Sequence, residues 1–292
     1  MTAFRGLEHI VREQQPLAPY NWFRLGGPAE YFAEPTSLKE LTQLVRRCAD
    51  HDVPVRVIGG GSRVLIPDQG VAGLIIQLSA PAFSEIVVSA DTITAGGGTK
   101  LGHLVSTAVR EGLAGLESLV GIPGTVAGAL RGNADSYGSS IGHWTTSATV
   151  LTRQAELRTR EQPELRFSYG ESSLDELVIL SATFKLEPGA SDELTRKMQK
   201  LWIVKRTHQP TGALGTGRVF KDPQGLMAAE LIEQAGLRGQ QVGEARVSDA
   251  SANFIEVTPG ATSEQVKELI DLVRTRVASE LGVELECELE IW

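Results

Sequence analysis

The clearest periodicity lies near the C-terminal end of the chain. Val266, Leu269, Ile270, Val273, Val277 and Leu281 recur at helical spacing. Thr262-x-x-Gln265 before them is a capping box and Gly282 after them is a helix stop, so the pattern predicts a helix over 263–281. Apolar residues and glutamates then alternate strictly from Val283 through Ile291, which predicts a strand with one buried and one acidic face. Near the other end, Ser37-x-x-Glu40 opens a helix carrying Leu38, Leu41, Val45 and Cys48 on one stripe. Val55-Arg56-Val57-Ile58 reads as a strand running into Gly59-Gly60-Gly61-Ser62, and residues 74–78 as a buried strand. Residues 85–88 and 92–95 flank Ser89-Ala90-Asp91 as a hairpin. Leu101, Leu104, Val105 and Ala108 mark a helix that stops at Gly112.

From about Trp144 the pattern changes to strands, interrupted by a loop over 161–173. Val178, Leu180, Ala182, Phe184 and Leu186 alternate cleanly. Pro188-Gly189-Ala190 then breaks the chain and Ser191-Asp192-Glu193 opens another helix. A domain boundary is expected there, giving domains over 1–188 and 189–292. Helices and strands are mixed without regular alternation, which predicts an α+β fold rather than a doubly wound sheet.

Glycine and alanine dominate Gly121-Ile122-Pro123-Gly124-Thr125-Val126-Ala127-Gly128-Ala129-Leu130. Such a segment lets backbone approach a ligand closely and offers N–H groups at the start of a short helix. A glycine-rich turn between packed elements has the same composition. The Gly59–Ser62 run lacks G-x-G-x-x-G spacing, because position 64 is Val64, and lacks a phosphate-loop lysine. Two glycine-rich loops some sixty residues apart suit one elongated diphosphate cofactor instead.

Composition narrows the classes. The 292 residues are 41% apolar, 22% charged and carry a formal charge of −8. That balance argues against non-specific nucleic-acid binding but allows an anionic small ligand. No apolar run is long enough to span a bilayer and Met1–His9 has no signal pattern, so neither a membrane nor a nucleic-acid partner is expected and the cytoplasm is the expected compartment. Cys48 and Cys287 each fall on an apolar stripe and read as free buried thiols. The histidines His9, His51, His103, His143 and His208 show no metal-ligand spacing, and no metal is expected.

In order along nearly the whole chain stand Asn21-Trp22-Phe23-Arg24-Leu25-Gly26-Gly27, Gly59–Ser62, Gly115 through Val126, Asn133-Ala134 and Tyr137-Gly138. They are followed by Arg206, Gln209-Pro210, Phe220-Lys221, Pro223, Leu231-Ile232-Glu233, Ala235-Gly236-Leu237, Val247-Ser248, Ala252-Asn253-Phe254 and Glu288. This series resembles the MurB family, the UDP-N-acetylenolpyruvoylglucosamine reductases.

The resemblance implies an FAD-binding domain of two subdomains, of the PCMH/VAO-like kind, and a smaller C-terminal α+β substrate-binding domain. It implies non-covalent FAD, NADPH as co-substrate, and reduction of the enolpyruvyl ether of UDP-N-acetylglucosamine to UDP-N-acetylmuramate for peptidoglycan synthesis. The implied cofactor residues are Ile58, Gly59, Gly60, Gly61, Ser62, Arg63, Gly121, Ile122, Pro123, Gly124, Thr125, Gly128 and Asn133. The implied catalytic residues are Tyr169, Arg218, Lys221 and Glu288.

Hydride addition to the alkene builds negative charge toward the substrate carboxylate, and the neighbouring carbon then needs a proton. The family meets these demands with an arginine in Tyr-Arg-x-Ser, a serine in Gly-Ser-x-Phe-Lys-Asn-Pro and a glutamate on the last strand. Here Tyr169-Gly170-Glu171-Ser172 has no arginine, and Gly217-Arg218-Val219-Phe220-Lys221-Asp222-Pro223 has Arg218 for the serine. The eight residues from Pro210 to Arg218 keep the family spacing. Arg63 replaces an asparagine, Ala127 a glycine, Asp135-Ser136 a Gly-Ala pair and Ser251 a histidine. Glu288 shares its strand face with Glu284, Glu286 and Glu290, and a solvated acidic face would look the same.

Arg218 either supplies the charge lost at Gly170 or marks a site that no longer performs this reduction, since losing a positioned proton donor costs roughly 10²–10⁴-fold. An arginine holds its protons too tightly to be a good acid. Lys221 is expected on an anionic group, a surface lysine being the alternative. Three functions remain open: this reductase, a flavoprotein of the same fold with another anionic substrate, and a non-catalytic FAD- or nucleotide-binding protein.

Overall fold

The computed structural model describes residues 4–207, 215–223 and 225–292. His208 and the Gln209-Pro210 match lie outside them. Helices and strands are mixed in an α+β fold. Contacts divide the chain into one unit of Met1–Gln15, Glu30–Gly60 and Ala72–Val204, and another of Pro16–Ala29, Gly61–Val71 and Lys205–Trp292. The cut expected at 188/189 draws each unit as one stretch. The contacts instead group two short N-terminal stretches with the C-terminal residues, because Phe23 and Leu65 are buried in that core. The chain passes from the first unit to the second at Gly60–Gly61, inside the first glycine loop.

The first unit has two cores. One is built on a five-stranded antiparallel sheet in the order Leu157–Glu161, Thr145–Leu151, Val178–Lys185, Thr92–Gly96, Ile86–Ser89. The helices Leu101–Arg110 and Val126–Arg131 add Leu104, Val105, Val126 and Leu130 to it. The other core contains the helix Leu38–Asp50, which buries Leu41, Leu44, Val45 and Cys48. Its sheet runs Val11–Pro16, Pro28–Ala33, Val71–Gln77, Val55–Ile58, the last two strands parallel. Ser37 starts the helix by accepting the Glu40 N–H at 3.3 Å. Burial pushes the Cys48 thiol up to about 12 and raises that of half-buried Cys287 as well.

The alternation from Val178 to Phe184 does not mark one face. Val150 pairs with Ile179 but Thr149 pairs with Ser181, so Leu180 is an extra residue, a bulge. Val178 and Leu180 enter the core of the helix Leu38–Asp50, whereas Ile179, Ala182 and Phe184 enter the other. One strand therefore serves two subdomains.

The second unit carries a four-stranded antiparallel sheet, Thr216–Arg218, Phe254–Val257, Ala245–Val247, Gln241–Val242, and the helices Ala228–Gln234 and Ser263–Leu281. The latter has the capping box of Thr262 with Gln265, and Gly282 ends it at φ 67°. The last ten residues are not the long strand their alternation predicts. Cys287 bridges Phe220, and only Glu290–Ile291 form a strand, parallel to Val64–Leu65. The alternation does bury Leu285 and Leu289. Pairing fails because the segment changes neighbour: Glu288 N–H donates to Val219 O at 2.7 Å and Glu290 N–H to Arg63 O at 2.8 Å. Among the described residues no helix is long and apolar enough to cross a membrane.

Candidate functional site

In the first unit the strand Val55–Ile58 ends at buried Ile58 and delivers Gly59 and Gly60 against the second glycine loop. A Cβ at Gly60 would lie 2.6 Å from the Gly124 Cα, and one at Gly59 would lie 2.7 Å from Thr125 Oγ1. The loops thus stack backbone on backbone, an approach that side chains would prevent. Leu101 N–H donates to Gly124 O at 3.0 Å and fixes the second loop from below.

The expected donors at the start of the helix Val126–Arg131 are already used. Val126 N–H donates to Thr99 O at 2.9 Å and Ala127 N–H to Gly97 O at 3.0 Å. Gly128 N–H turns back to Thr125 Oγ1 at 3.3 Å. This six-residue helix is therefore no anion site, which corrects the reading of the segment as a helix N-terminus. Sequence gave no sign that carbonyls of residues 97 and 99 would reach it. Among the described residues, the N–H groups of Gly60, Gly124 and Thr125 carry no hydrogen bond, so donors remain in the loops themselves. Gly121 is exposed at the loop's start, and Ile122 and Pro123 are half-buried.

Asn133 is buried at φ 41°, its Oδ1 accepting the Gly142 N–H at 3.0 Å and its Nδ2 donating to Ser168 O at 2.8 Å. The side chain is spent on protein. It latches a small hairpin, Phe167–Ser168 with Glu171–Ser172, inside the stretch expected to be a loop. Tyr169 and Gly170 form the turn, with the Tyr169 side chain exposed and Gly170 at φ 71°. That corner favours glycine over any residue with a Cβ, a physical reason for the missing arginine.

In the second unit, Arg218 ends the strand Thr216–Arg218 opposite Phe254. The backbone that follows is held from two sides. Val219 O accepts from Glu288 N–H, and Lys221 N–H donates to Glu286 O at 2.9 Å. On the other side the buried Asn253 takes both backbone groups of Phe220.

Glu288 then stands apart from its neighbours. Glu284, Glu286 and Glu290 are exposed, whereas the Glu288 side chain retains 7% of its surface. Its Oε1 accepts from Arg63 Nη2, and its Oε2 lies 3.4 Å from Arg218 Nε in ion-pair range without a hydrogen bond. Arg218 Nη2 donates to Asp222 Oδ2 at 2.7 Å, and Asp222 Oδ1 accepts the Ala228 N–H at 2.9 Å. Arg63, Glu288, Arg218 and Asp222 form one row of alternating charge.

Lys221 directs its ammonium to Glu286 Oε1 at 2.5 Å. Arg63, grouped by the sequence reading with the cofactor loop, reaches Glu288 instead. Ser62 before it is half-buried. Asp222 and Asn253 were missed as site residues. The i,i+4 spacing of Arg218 and Asp222 was the available signal for the first, and the Ala252-Asn253-Phe254 motif for the second.

Residues 29–160 match the family described as FAD binding domain, and residues 209–292 match the family described as UDP-N-acetylenolpyruvoylglucosamine reductase, C-terminal domain. The reductase of that name from Rhodopirellula baltica is 38% identical over 98% of this chain and 94% of its own. That of Paramagnetospirillum magneticum is 40% identical over 94% and 89%. The crystal structure of the Thermus caldophilus enzyme superposes with a TM-score of 0.82 at 32% identity, covering 97% of this chain and 99% of the other. A Bermuda grass isoallergen, BG60, shares the fold at a TM-score of 0.51 and 12% identity, covering 97% of this chain and 59% of its own.

Proposed function

Because the chain belongs to the family of UDP-N-acetylenolpyruvoylglucosamine reductases, we propose that it is an FAD-dependent, NADPH-using reductase that forms UDP-N-acetylmuramate for peptidoglycan synthesis. The observation that carries this reading is the setting of Glu288: of four alternating glutamates it is the one turned inward, onto two arginines. A solvated acidic face would have left it like its neighbours.

The stacked glycine loops fit the cofactor, since their remaining N–H groups suit a diphosphate and their backbones admit close approach. Ile58, Gly59 and Gly60 would hold it with Gly121, Ile122, Pro123, Gly124 and Thr125 of the same unit. Gly128 would stand beside them at the exposed start of the short helix. Bound there, FAD supplies the hydride chemistry, and the protein supplies binding, orientation and charge.

The chain's own contribution is electrostatic. The Arg218 guanidinium stabilises the negative charge that develops on the substrate carboxylate, the task assigned elsewhere in the family to the arginine after Tyr169. Asp222 orients that guanidinium. With Glu288 engaged in ion pairs and arginine a poor acid, water delivers the final proton. Tyr169, exposed on its turn, is a candidate contact for the ligand. Lys221 balances Glu286 at the edge of the same backbone. This reading assigns the protein to the cytoplasm, where NADPH is held.

A second reading, the same flavoprotein chemistry on another anionic compound, is favoured by Gly170 and Arg218. Anaerobic reduction with NADPH followed by addition of the enolpyruvyl ether of UDP-N-acetylglucosamine separates the two. Reoxidation of the flavin on addition supports the reductase. Rapid reduction by NADPH without reoxidation rejects it in favour of the second reading. A colourless protein that takes up no FAD rejects both.

A further inference from the structure

We propose that Glu117 is a positioning residue for the cofactor: its buried carboxylate, paired with Lys197, sets the turn that presents the loop 121–125 and ties that turn to the helix Ser191–Thr207. The assignment rests on the proposed seat of FAD in the stacked glycine loops.

Glu117 opens a short 3₁₀ turn, Glu117–Leu119, just ahead of the loop. Its side chain keeps 5% of its surface. Oε2 accepts the Gly115 N–H at 2.7 Å, and Oε1 accepts from the Lys197 ammonium at 2.6 Å. Burial works to raise the carboxyl, but the Lys197 ammonium, the Gly115 N–H and its own N–H outweigh it and hold the group below its ordinary value. Gly115 stands at φ 135°, where a Cβ would meet the Trp144 ring at 2.7 Å. The chain is thus pinned at Gly115 by the ring and by the carboxylate. From there hydrogen bonds run forward into the loop. Val120 N–H donates to Glu117 O at 3.3 Å, and Ile122 N–H to Leu119 O at 3.2 Å.

The partner shows why a charge stands here. Leu194, Lys197 and Met198 share one stripe of the helix Ser191–Thr207; Leu194 is buried, and Met198 packs against the core of the five-stranded sheet. Lys197 keeps 60% of its surface, so water screens its attraction for the carboxylate and the pair adds little to stability by itself. The costly element is the carboxylate, which gives up its hydration. Anchoring the helix alone would not need that. A leucine at position 117 would pack with Leu116 and Leu119, both buried, without desolvating a charge. What a leucine cannot do is bind the Gly115 N–H and the ammonium at once. The carboxylate therefore joins the entrance of the cofactor loop to a helix residue 80 positions on.

Serial dilution of the holoenzyme, with released FAD read by its fluorescence, measures cofactor affinity. Glu117→Ala should raise the dissociation constant for FAD about tenfold or more, through loss of a charge-assisted bond to Gly115. Lys197→Met should raise it about three- to fivefold, because Gly115 keeps its acceptor. Lys197→Arg should match wild type, since a guanidinium also pairs with a carboxylate. In the FAD-free proteins, amide exchange in Glu117→Ala should quicken over residues 115–122 and not over the strand Thr92–Gly96. A merely structural role would quicken both together and leave the affinity of the folded protein unchanged. If Glu117→Ala does not fold, Lys197→Met carries the test. Unchanged affinity in Glu117→Ala overturns the assignment, and unchanged affinity in Lys197→Met removes the helix from it. Where Gly60→Ala also keeps full affinity, the seat of FAD in these loops falls with it.

Discussion

The side-chain amide of Asn253 accepts the Phe220 N–H at 2.9 Å and donates to the Phe220 carbonyl at 2.8 Å. It acts as a one-residue strand partner for the backbone between Arg218 and Lys221. Asn253→Ala leaves a buried donor and a buried acceptor unmet, which should cost roughly 2–4 kcal/mol. Asn253→Asp keeps the acceptor but turns a buried carboxylate oxygen onto the Phe220 carbonyl, so at neutral pH its loss should be at least as large. Urea unfolding curves measure both. An alanine variant as stable as wild type would show that this clamp holds nothing.

Gly60→Ala addresses the cofactor loops. The new methyl would sit 2.6 Å from a backbone carbon of Gly124, and neither loop can yield by rotating a side chain. The stacked pair should separate, so the purified variant should carry less than about a tenth of the wild-type flavin, a loss of roughly 1.4 kcal/mol or more in binding. Flavin absorbance per protein decides it. Full occupancy would mean that the stacking does not form the cofactor site.

How far these features could be read in the sequence depended on how local their causes are. The helix Ser263–Leu281 was legible because both of its ends are set within four residues, by Thr262 with Gln265 and by Gly282. The bulge at Leu180 was not, since an alternating run looks the same with or without an extra residue in its pairing. The glycine loops were legible as a pair, but the capture of the Val126 and Ala127 N–H groups by distant carbonyls was not. In the site, the inward turn of Glu288 runs against its own alternation. It follows from the segment leaving Val219 for Arg63, and a residue pattern does not encode a change of neighbour.

Glu40 offers a test against pH. Its carboxylate accepts from the Thr36 N–H at 2.7 Å, lies 3.0 Å from His9 Nε2 and accepts from the Thr36 hydroxyl at 2.8 Å. These contacts, the backbone bond first, lower its pKa from 4.5 to about 2. An acid depressed on folding stabilises fully above its unfolded value, and the benefit disappears as pH falls from about 4.5 toward about 2. Glu40→Gln keeps an acceptor for Thr36 but no charge. The variant should melt below wild type at pH 7, and the gap should close as pH drops through that window. A gap that stays constant to pH 2 would remove Glu40 from the acid sensitivity of the fold.

The last expectation concerns the two departures together. Gly170 occupies the left-handed corner of a two-residue turn, so Gly170→Arg should cost about 1–2 kcal/mol in urea unfolding. If Arg218 carries the charge stabilisation, that gain of an arginine adds little, and flavin reoxidation by the enolpyruvyl UDP-sugar should stay within about twofold of wild type. Arg218→Ser should instead slow reoxidation by about 10²–10³-fold. Combining Gly170→Arg with Arg218→Ser returns an arginine and a hydroxyl to the positions where the family has them, and should recover part of that loss despite the strained turn. Stopped-flow absorbance on the four proteins reads the whole cycle. Arg218→Ser reoxidising as fast as wild type would end the compensation between these positions, because the charge that the reaction needs would then come from elsewhere.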